Sequence, residues 1–296
     1  MTRAISIGEC MVELRPEADG RLRRGFAGDA YNTAVYLKRS APEIDVAFLT
    51  ATGDDSLSAA MTEAWRAEGI SDRLCFRVAG ARPALYLIET DAKGDRRFHY
   101  WRGESPARQW FRLAADRGPE MFAGADLIYV SGISLAILND DDRKGAIRFL
   151  KTLAPRLAFD PNIRPALWSS LDAARECFEA MIGIAAIVLP SRQDMQLLYA
   201  IDDPAVQIAR MAAMTAAEIA LTADEAGCLL RVDDQLSALP AEKASAVVDT
   251  SGAGDSFNGA YLAARLRGQP PLDAARAGLA LAARVIGRPG AIIPAG

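Results

Sequence analysis

The residues with the clearest chemistry are a carboxylate and the glycines just before it, in the run Asp249-Thr250-Ser251-Gly252-Ala253-Gly254-Asp255-Ser256-Phe257-Asn258-Gly259. The run follows the β-branched pair Val247-Val248 and leads into the apolar-periodic stretch Ala260 to Leu266, which predicts a turn from strand to helix. Glycine reaches backbone conformations closed to other residues, and the first amides of a helix lack partners at its positive end. Gly252, Ala253 and Gly254 are therefore expected to form an anion cradle. The field that attracts a phosphate should also keep Asp255 ionised. Both fit one site if Asp255 orients a substrate hydroxyl and takes its proton while the cradle amides hold a transferring phosphoryl group. The nucleophile loses its proton late in a loose transition state, so position counts for more than basicity. The alternative reading of the bare Gly-Ala-Gly-Asp is a helix entry whose Asp caps the first turn.

Other phosphate-binding patterns are excluded. The chain has no Walker-type loop, and Phe257 stands where a dinucleotide fingerprint needs its third glycine. Such a fingerprint also opens the first βα unit, whereas this run lies near the C-terminus. A single histidine, His99, rules out histidine-cluster metal centres. Cys10, Cys75, Cys177 and Cys228 form no C-x-x-C pair, so neither a disulfide framework nor a zinc site is expected. A formal charge of −4 disfavours nucleic acid as a partner. The chain enters strand-like Ala4–Ile7 without the layout of a signal peptide, and Ile182 to Leu189 is too short to span a bilayer. No membrane partner is expected, and the cytoplasm is the expected location.

The elements that must position these residues alternate. Strand-like runs at Ala4–Ile7, Val46–Leu49, Leu127–Val130, Leu157–Phe159, Ile184–Leu189, Ile219–Leu221 and Ala246–Val248 are separated by helical patterns such as Leu57–Glu68, Asp141–Leu153, Leu171–Met181 and Ala205–Met214. This predicts parallel βαβ units in a sheet covered on both faces, with ligands beyond the carboxyl ends of its strands. Two segments break the pattern. Val12–Gly28 and Arg73–Arg102 lack a helical period and read as antiparallel strands outside the main sheet, with a turn at Asp91-Ala92-Lys93-Gly94. A small sheet with apolar residues on both faces needs cover, which makes a homodimer contact reasonable.

Further candidates lie in these elements. Asp160-Pro161-Asn162-Ile163-Arg164-Pro165 places Arg164 near a strand's carboxyl end, where it can pair a carboxylate or phosphate or serve as a surface helix-entry residue. Tyr100 and Arg102 share one strand face by their spacing of two. Together with Tyr86 they suit a polyhydroxy acid or a packed subunit contact. In Gly28-Asp29-Ala30-Tyr31-Asn32, Gly28 would let backbone approach a sugar and Asn32 would bond a diol, with Asp29 capping the turn and Tyr31 in the core.

The run ending in Asp255, with Ala27-Gly28-Asp29-Ala30-Tyr31-Asn32-Thr33-Ala34, resembles the two signatures of the ribokinase-like (PfkB) carbohydrate kinases, and the likeness extends over essentially the whole chain. It implies one α/β domain over 1–296, with a mostly parallel central sheet flanked by helices and a small β-sheet lid inserted as segments 12–28 and 73–105. It also implies magnesium- and ATP-dependent phosphorylation of a sugar. Tyr-x-Arg at Tyr100 and Arg102, with Asp-Pro-Asn-x-Arg ending at Arg164, resembles the sugar-acid branch, in which both arginines meet the substrate. The acceptor is then expected to be 2-keto-3-deoxygluconate at its terminal primary hydroxyl. A neutral-sugar or nucleoside kinase, and a sugar-acid-binding homologue without ATP use, are the alternatives. The lid of the resembling kinases often pairs with a second subunit. Ser191 and Asp194 stand at their magnesium and phosphate position, with Asp194 acting through magnesium-bound water. Thr222, Asp224 and Gly227 stand at their ATP loop, where Thr222 replaces a lysine and Asp224 a glycine. Ala277 to Ile286 and Gly290 are expected at the adenine wall.

Overall fold

Alternate residues of the central strands feed two different cores. In β1 (Arg3–Ile7), Ile5 and Ile7 join one apolar cluster and Ala4 the other. The period of two along a strand produces this split when helices cover both faces of a sheet. The computed structural model describes residues 1–17, 19–90 and 96–295, so the expected turn at Asp91-Ala92-Lys93-Gly94 lies outside the described residues.

Along the chain follow β2 (Met11–Pro16), β3 (Leu22–Ala27), α1 (Asp29–Ser40), β4 (Asp45–Thr52), α2 (Ser56–Ala67), β5 (Cys75–Arg77), β6 (Leu85–Thr90) and β7 (Arg96–Trp101). Next come α3 (Trp110–Arg117), β8 (Leu127–Ser131), α4 (Gly132–Ala136), α5 (Asp140–Lys151), β9 (Leu157–Asp160), α6 (Leu171–Ile182), β10 (Ile187–Val188), α7 (Arg192–Tyr199) and α8 (Pro204–Ala212). The last elements are β11 (Glu218–Thr222), β12 (Cys228–Val232), β13 (Gln235–Leu239), α9 (Ala253–Leu266) and α10 (Pro271–Ile286). The main sheet has the order β13-β12-β11-β10-β9-β8-β1-β4-β5, parallel from β11 to β5 and closed at one edge by the antiparallel hairpin β12–β13. A second sheet, in the order β3-β2-β6-β7, stands apart from it.

Three expectations need correction. Ala246–Val248 is not a strand: Val247 and Val248 are 71% and 53% exposed, and the amides of Val248 and Asp249 bond the Ile286 carbonyl at the end of α10 rather than a neighbouring strand. β-branched composition alone does not make a strand without an edge to pair with. Ile184–Leu189 shrinks to the two residues of β10, because α6 ends in a turn that uses the amides of Ile184 and Ala185. The lid is smaller and less antiparallel than predicted. β5 pairs with β4 in the main sheet, and β2 runs parallel to β6, so two hairpins are joined side by side.

Helix α9 is the element that carries the site into the core. Its residues Ser256 to Ala264 are all buried, and it packs between α1 and α10. A Cβ on Gly259 would lie 2.6 Å from Tyr36 Cβ and 2.8 Å from the backbone of Leu37 and Thr33, so glycine sets how closely α9 approaches α1. Gly259→Ala should destabilise the protein by about 1–3 kcal/mol despite its better helix propensity, because backbone must give way. Chemical denaturation checks this, and an unchanged midpoint would contradict the close crossing.

Candidate active site

The candidate residues gather at the carboxyl ends of the parallel strands, where open α/β sheets bind ligands. The β8–β9 register sets Ser131 beside Asp160, and the loop after β9 holds Asn162 and Arg164. Into this edge project the first turns of α1 and α9.

Asp255 lies in the first turn of α9. Gly252, the N-cap, has φ of 76°, a left-handed conformation suited to glycine, and a Cβ there would lie 2.4 Å from the Ala291 carbonyl oxygen. No side chain caps the helix. Ala253 turns its amide to the Thr250 carbonyl at 3.3 Å, so this N–H, expected in the cradle, is already engaged within the loop. Space is open where a Gly254 side chain would stand, so a ligand can approach there.

Asn32 Nδ2 donates to Asp255 Oδ2 at 2.8 Å, while Asn32 Oδ1 accepts from the Gly28 amide at 3.3 Å. Each end of this buried amide thus makes one bond within the protein, and that geometry orients Asp255. Gly28 is also explained by the fold. A Cβ there would lie 2.2 Å from the Glu9 carbonyl oxygen, so the close approach is backbone to backbone. Asp29 does not cap α1. Its carboxylate accepts from the Ser131 hydroxyl and, at 2.9 Å, from Asn162 Nδ2.

The helix end was expected to keep Asp255 ionised. Burial outweighs it: desolvation first, then the nearby Asp29 charge, push its pKa up to about 7, against a pull from Asn32 and Arg164. Asp160, which accepts from Tyr129 and Asn258 at 2.9 Å each, is pushed well above the usual carboxylate range by burial and by Asp194, Asp29 and Asp255. Four carboxylates therefore crowd one strand edge.

On the lid, Tyr100 and Arg102 share a face as their spacing predicts, and Tyr86 stands opposite Tyr100 on the neighbouring strand. The rings of Tyr86 and Tyr100 are 5.8 Å apart, and the Arg102 guanidinium is 5.8 Å from the Tyr100 ring centre. Tyr86 spends its hydroxyl on Glu13. Arg102 pairs with Glu9. Arg164 is exposed, donates to the Ile163 carbonyl at 2.9 Å and lies near enough to Asp255 to influence it, and no contact joins it to Arg102 among the described residues. Tyr31 packs in the core against Phe48 and Trp65, as expected.

On the nucleotide side, Ser191 and Thr222 form a parallel bridge between adjoining strand ends. Asp194 closes a capping box with Ser191 and accepts from the Ile163 amide at 2.8 Å, so its oxygens tie α7 to the loop carrying Arg164. Asp224 begins the turn between β11 and β12 with a φ of 48°. Gly227 is required by that turn, since a Cβ would meet the Leu239 carbonyl oxygen at 2.1 Å. Glu9, Glu13, Asp29 and Asn258 were missed as site residues. Only Asp29 and Asn258 lie inside recognisable motifs, while Glu9 and Glu13 carry no local signal.

Residues 1–295 match the pfkB family carbohydrate kinases, and the chain belongs to that family. It is 39% identical over 297 residues to the 2-dehydro-3-deoxygluconokinase of Dickeya dadantii (strain 3937), covering 97% of this chain and 96% of the relative. The 2-dehydro-3-deoxygluconokinase of Escherichia coli (strain K12) is 37% identical over 300 residues, with 97% and 96% covered. Among solved structures, the PfkB protein from Polaromonas sp. JS666 superimposes with a TM-score of 0.86 at 22% identity, covering 97% of this chain and 96% of that one. The large sheet flanked by helices matches that solved fold, and a second, smaller sheet is present in this chain.

An NMR titration of the Asp255 carboxyl should give a midpoint near 7 in the free protein. Asp29→Asn should move it down, because a repelling charge is removed. A wild-type midpoint in the ordinary carboxylate range would contradict the desolvated site.

Proposed function

We propose that this chain transfers the terminal phosphoryl group of ATP to the terminal primary hydroxyl of 2-keto-3-deoxygluconate. The observation that carries the reading is Asp255, held by Asn32 beside the uncapped start of α9, in a chain whose near full-length relatives are 2-dehydro-3-deoxygluconokinases.

In this mechanism Asp255 accepts the hydroxyl proton as the oxygen attacks. A base with a pKa of about 7 is better matched to neutral pH than an ordinary carboxylate. The amides of Gly252 and Gly254 hold the developing charge on the phosphoryl oxygens, aided by the positive end of α9. Arg102 receives the acid end of the sugar, with Tyr100 bonding a hydroxyl or keto oxygen, while Arg164, which acts on Asp255, supplies a cation at the reacting end instead of the acid end expected for it. Tyr86 supports Tyr100 by ring packing. Gly28 and Asn32 shape the floor from below. The lid excludes water, which competes as nucleophile.

Ser191, Thr222, Asp224 and Gly227 border the nucleotide. Among the described residues no group of three or more ligand-type side chains could hold a metal. Magnesium is therefore expected to travel with the nucleotide phosphates and reach residues such as Asp194 through water. When bound, it neutralises phosphate charge. Among the described residues no helix is long and apolar enough to cross a membrane, and we place the enzyme in the cytoplasm. Phe98 and Trp101, on opposite faces of the lid and respectively 40% and 60% exposed, favour a homodimer through the lid.

Asp255→Asn should lower kcat by about 10²–10⁴ with little change in affinity for the acid. Arg102→Ala should raise KM for the acid by about 10- to 100-fold, the worth of one charge-assisted hydrogen-bond set. Coupled assay of ADP release across sugar acids and neutral sugars checks both. Faster turnover of a neutral sugar than of the acid would overturn the substrate assignment.

A further inference from the structure

Arg102 does not meet the cleft as a free cation. Its Nη2 donates to Glu9 Oε2, joining the end of β7 to the residue that leads from β1 into the lid. The two side chains are only 12% and 1% exposed. Glu9 Oε1 and Arg102 Nε are both shielded from solvent and have no hydrogen-bond partner. A buried polar group left without a partner is unfavourable. A pair built only to brace the lid would have used them. The pair thus leaves one donor and one acceptor unused by the protein.

A substrate carboxylate fits the donor side, because a guanidinium can hold one through two parallel hydrogen bonds. The acceptor side then poses an electrostatic problem. Two ionised carboxylates on one buried arginine leave a net negative charge, and Asp29 faces the same pair from the start of α1. Of the other groups around Glu9, the Ser105 hydroxyl is close enough to hydrogen-bond its carboxylate and favours the ionised form, and Cys10 is a thiol that burial keeps protonated. No second cation among the groups that act on Glu9 offsets the charge.

We propose that Glu9 is the positioning partner of Arg102, and that it takes one proton from solvent onto its open oxygen when the acid substrate binds. The pair is neutral before binding. Afterwards the charges of Arg102 and the substrate carboxylate cancel and Glu9 is a neutral acid, so neutrality is kept. The new O–H replaces the unpartnered acceptor with a donor that can bond the incoming carboxylate. Burial already pushes the Glu9 pKa upward in the free protein, and a second carboxylate pushes it in the same direction. Between the free and bound pKa values, affinity for the acid falls as pH rises, by up to about tenfold per unit. This inference rests on the acid end meeting Arg102.

The test is calorimetry of 2-keto-3-deoxygluconate binding without nucleotide, in buffers of different ionisation enthalpy across the neutral range. The expected result is net uptake approaching one proton per acid bound by the wild-type protein. Uptake should persist in Asp255→Asn, since the other titrating carboxylate is not its source, and should vanish in Glu9→Gln. Binding without uptake in the wild type, or uptake lost in Asp255→Asn, overturns the role of Glu9 while leaving the kinase reading intact. Uptake that survives in Glu9→Gln does the same. Failure of the wild type to bind the acid overturns the acid-end assignment itself. The wild-type and Asp255→Asn measurements decide the question even where Glu9→Gln does not fold.

Discussion

Asp255 is a carboxylate withdrawn from water at the start of a helix whose dipole favours negative charge. Two opposed effects meet there, and their magnitudes decide the outcome. The end of a helix contributes about 0.3–1 kcal/mol to a charge, less than one pKa unit, whereas the departure from 3.8 to about 7 amounts to several kcal/mol. Desolvation and the repulsion of Asp29 therefore win. The arrangement needs α9 to enter the core deeply, which in turn needs glycine at 259 against α1 and the Asn258–Asp160 bond to the sheet. One packing constraint thus sets both the place and the basicity of the carboxylate.

The same economy of charge recurs at the lid. Arginine and glutamate side chains form buried or half-buried pairs there, Arg102 with Glu9 across distant segments and Arg15 with Glu13 within β2. Tyr86 anchors to the second of them through Glu13. A polar lid face held together internally keeps its shape without substrate. Its cations can meet an anionic ligand without first being stripped of bulk water, since much of that cost has been met in folding.

The alternating strands and helices were legible because each buried strand reads as a short apolar run and each helix shows its own period, so β1, β4, β8, β9 and β11 fall where expected. Ala246–Val248 failed because strand identity depends on a pairing edge, which a local window does not contain. The parallel β2–β6 contact was hidden for the same reason. The helix start at Gly252–Asp255 was legible as a motif, but the direction of the Asp255 pKa was not, since Asp29 and Asn32 lie more than two hundred residues away in sequence. Gly28 and Asn32 were legible from their motif, but their roles in the fold were not: Gly28 lets backbone pack on Glu9, and Asn32 orients Asp255. Glu9 was invisible, because nothing in its neighbours announces an ion pair with Arg102.

The central claim is that the sugar's last alcohol meets Asp255 while its acid end lies at Arg102. A crystal structure with 2-keto-3-deoxygluconate and a non-transferable ATP analogue tests it most directly. The account predicts the terminal hydroxyl oxygen within about 3 Å of an Asp255 oxygen and the carboxylate on the Arg102 guanidinium. A sugar bound in the reverse sense, or a nucleotide whose terminal phosphate lies away from Gly252 and Gly254, would contradict it.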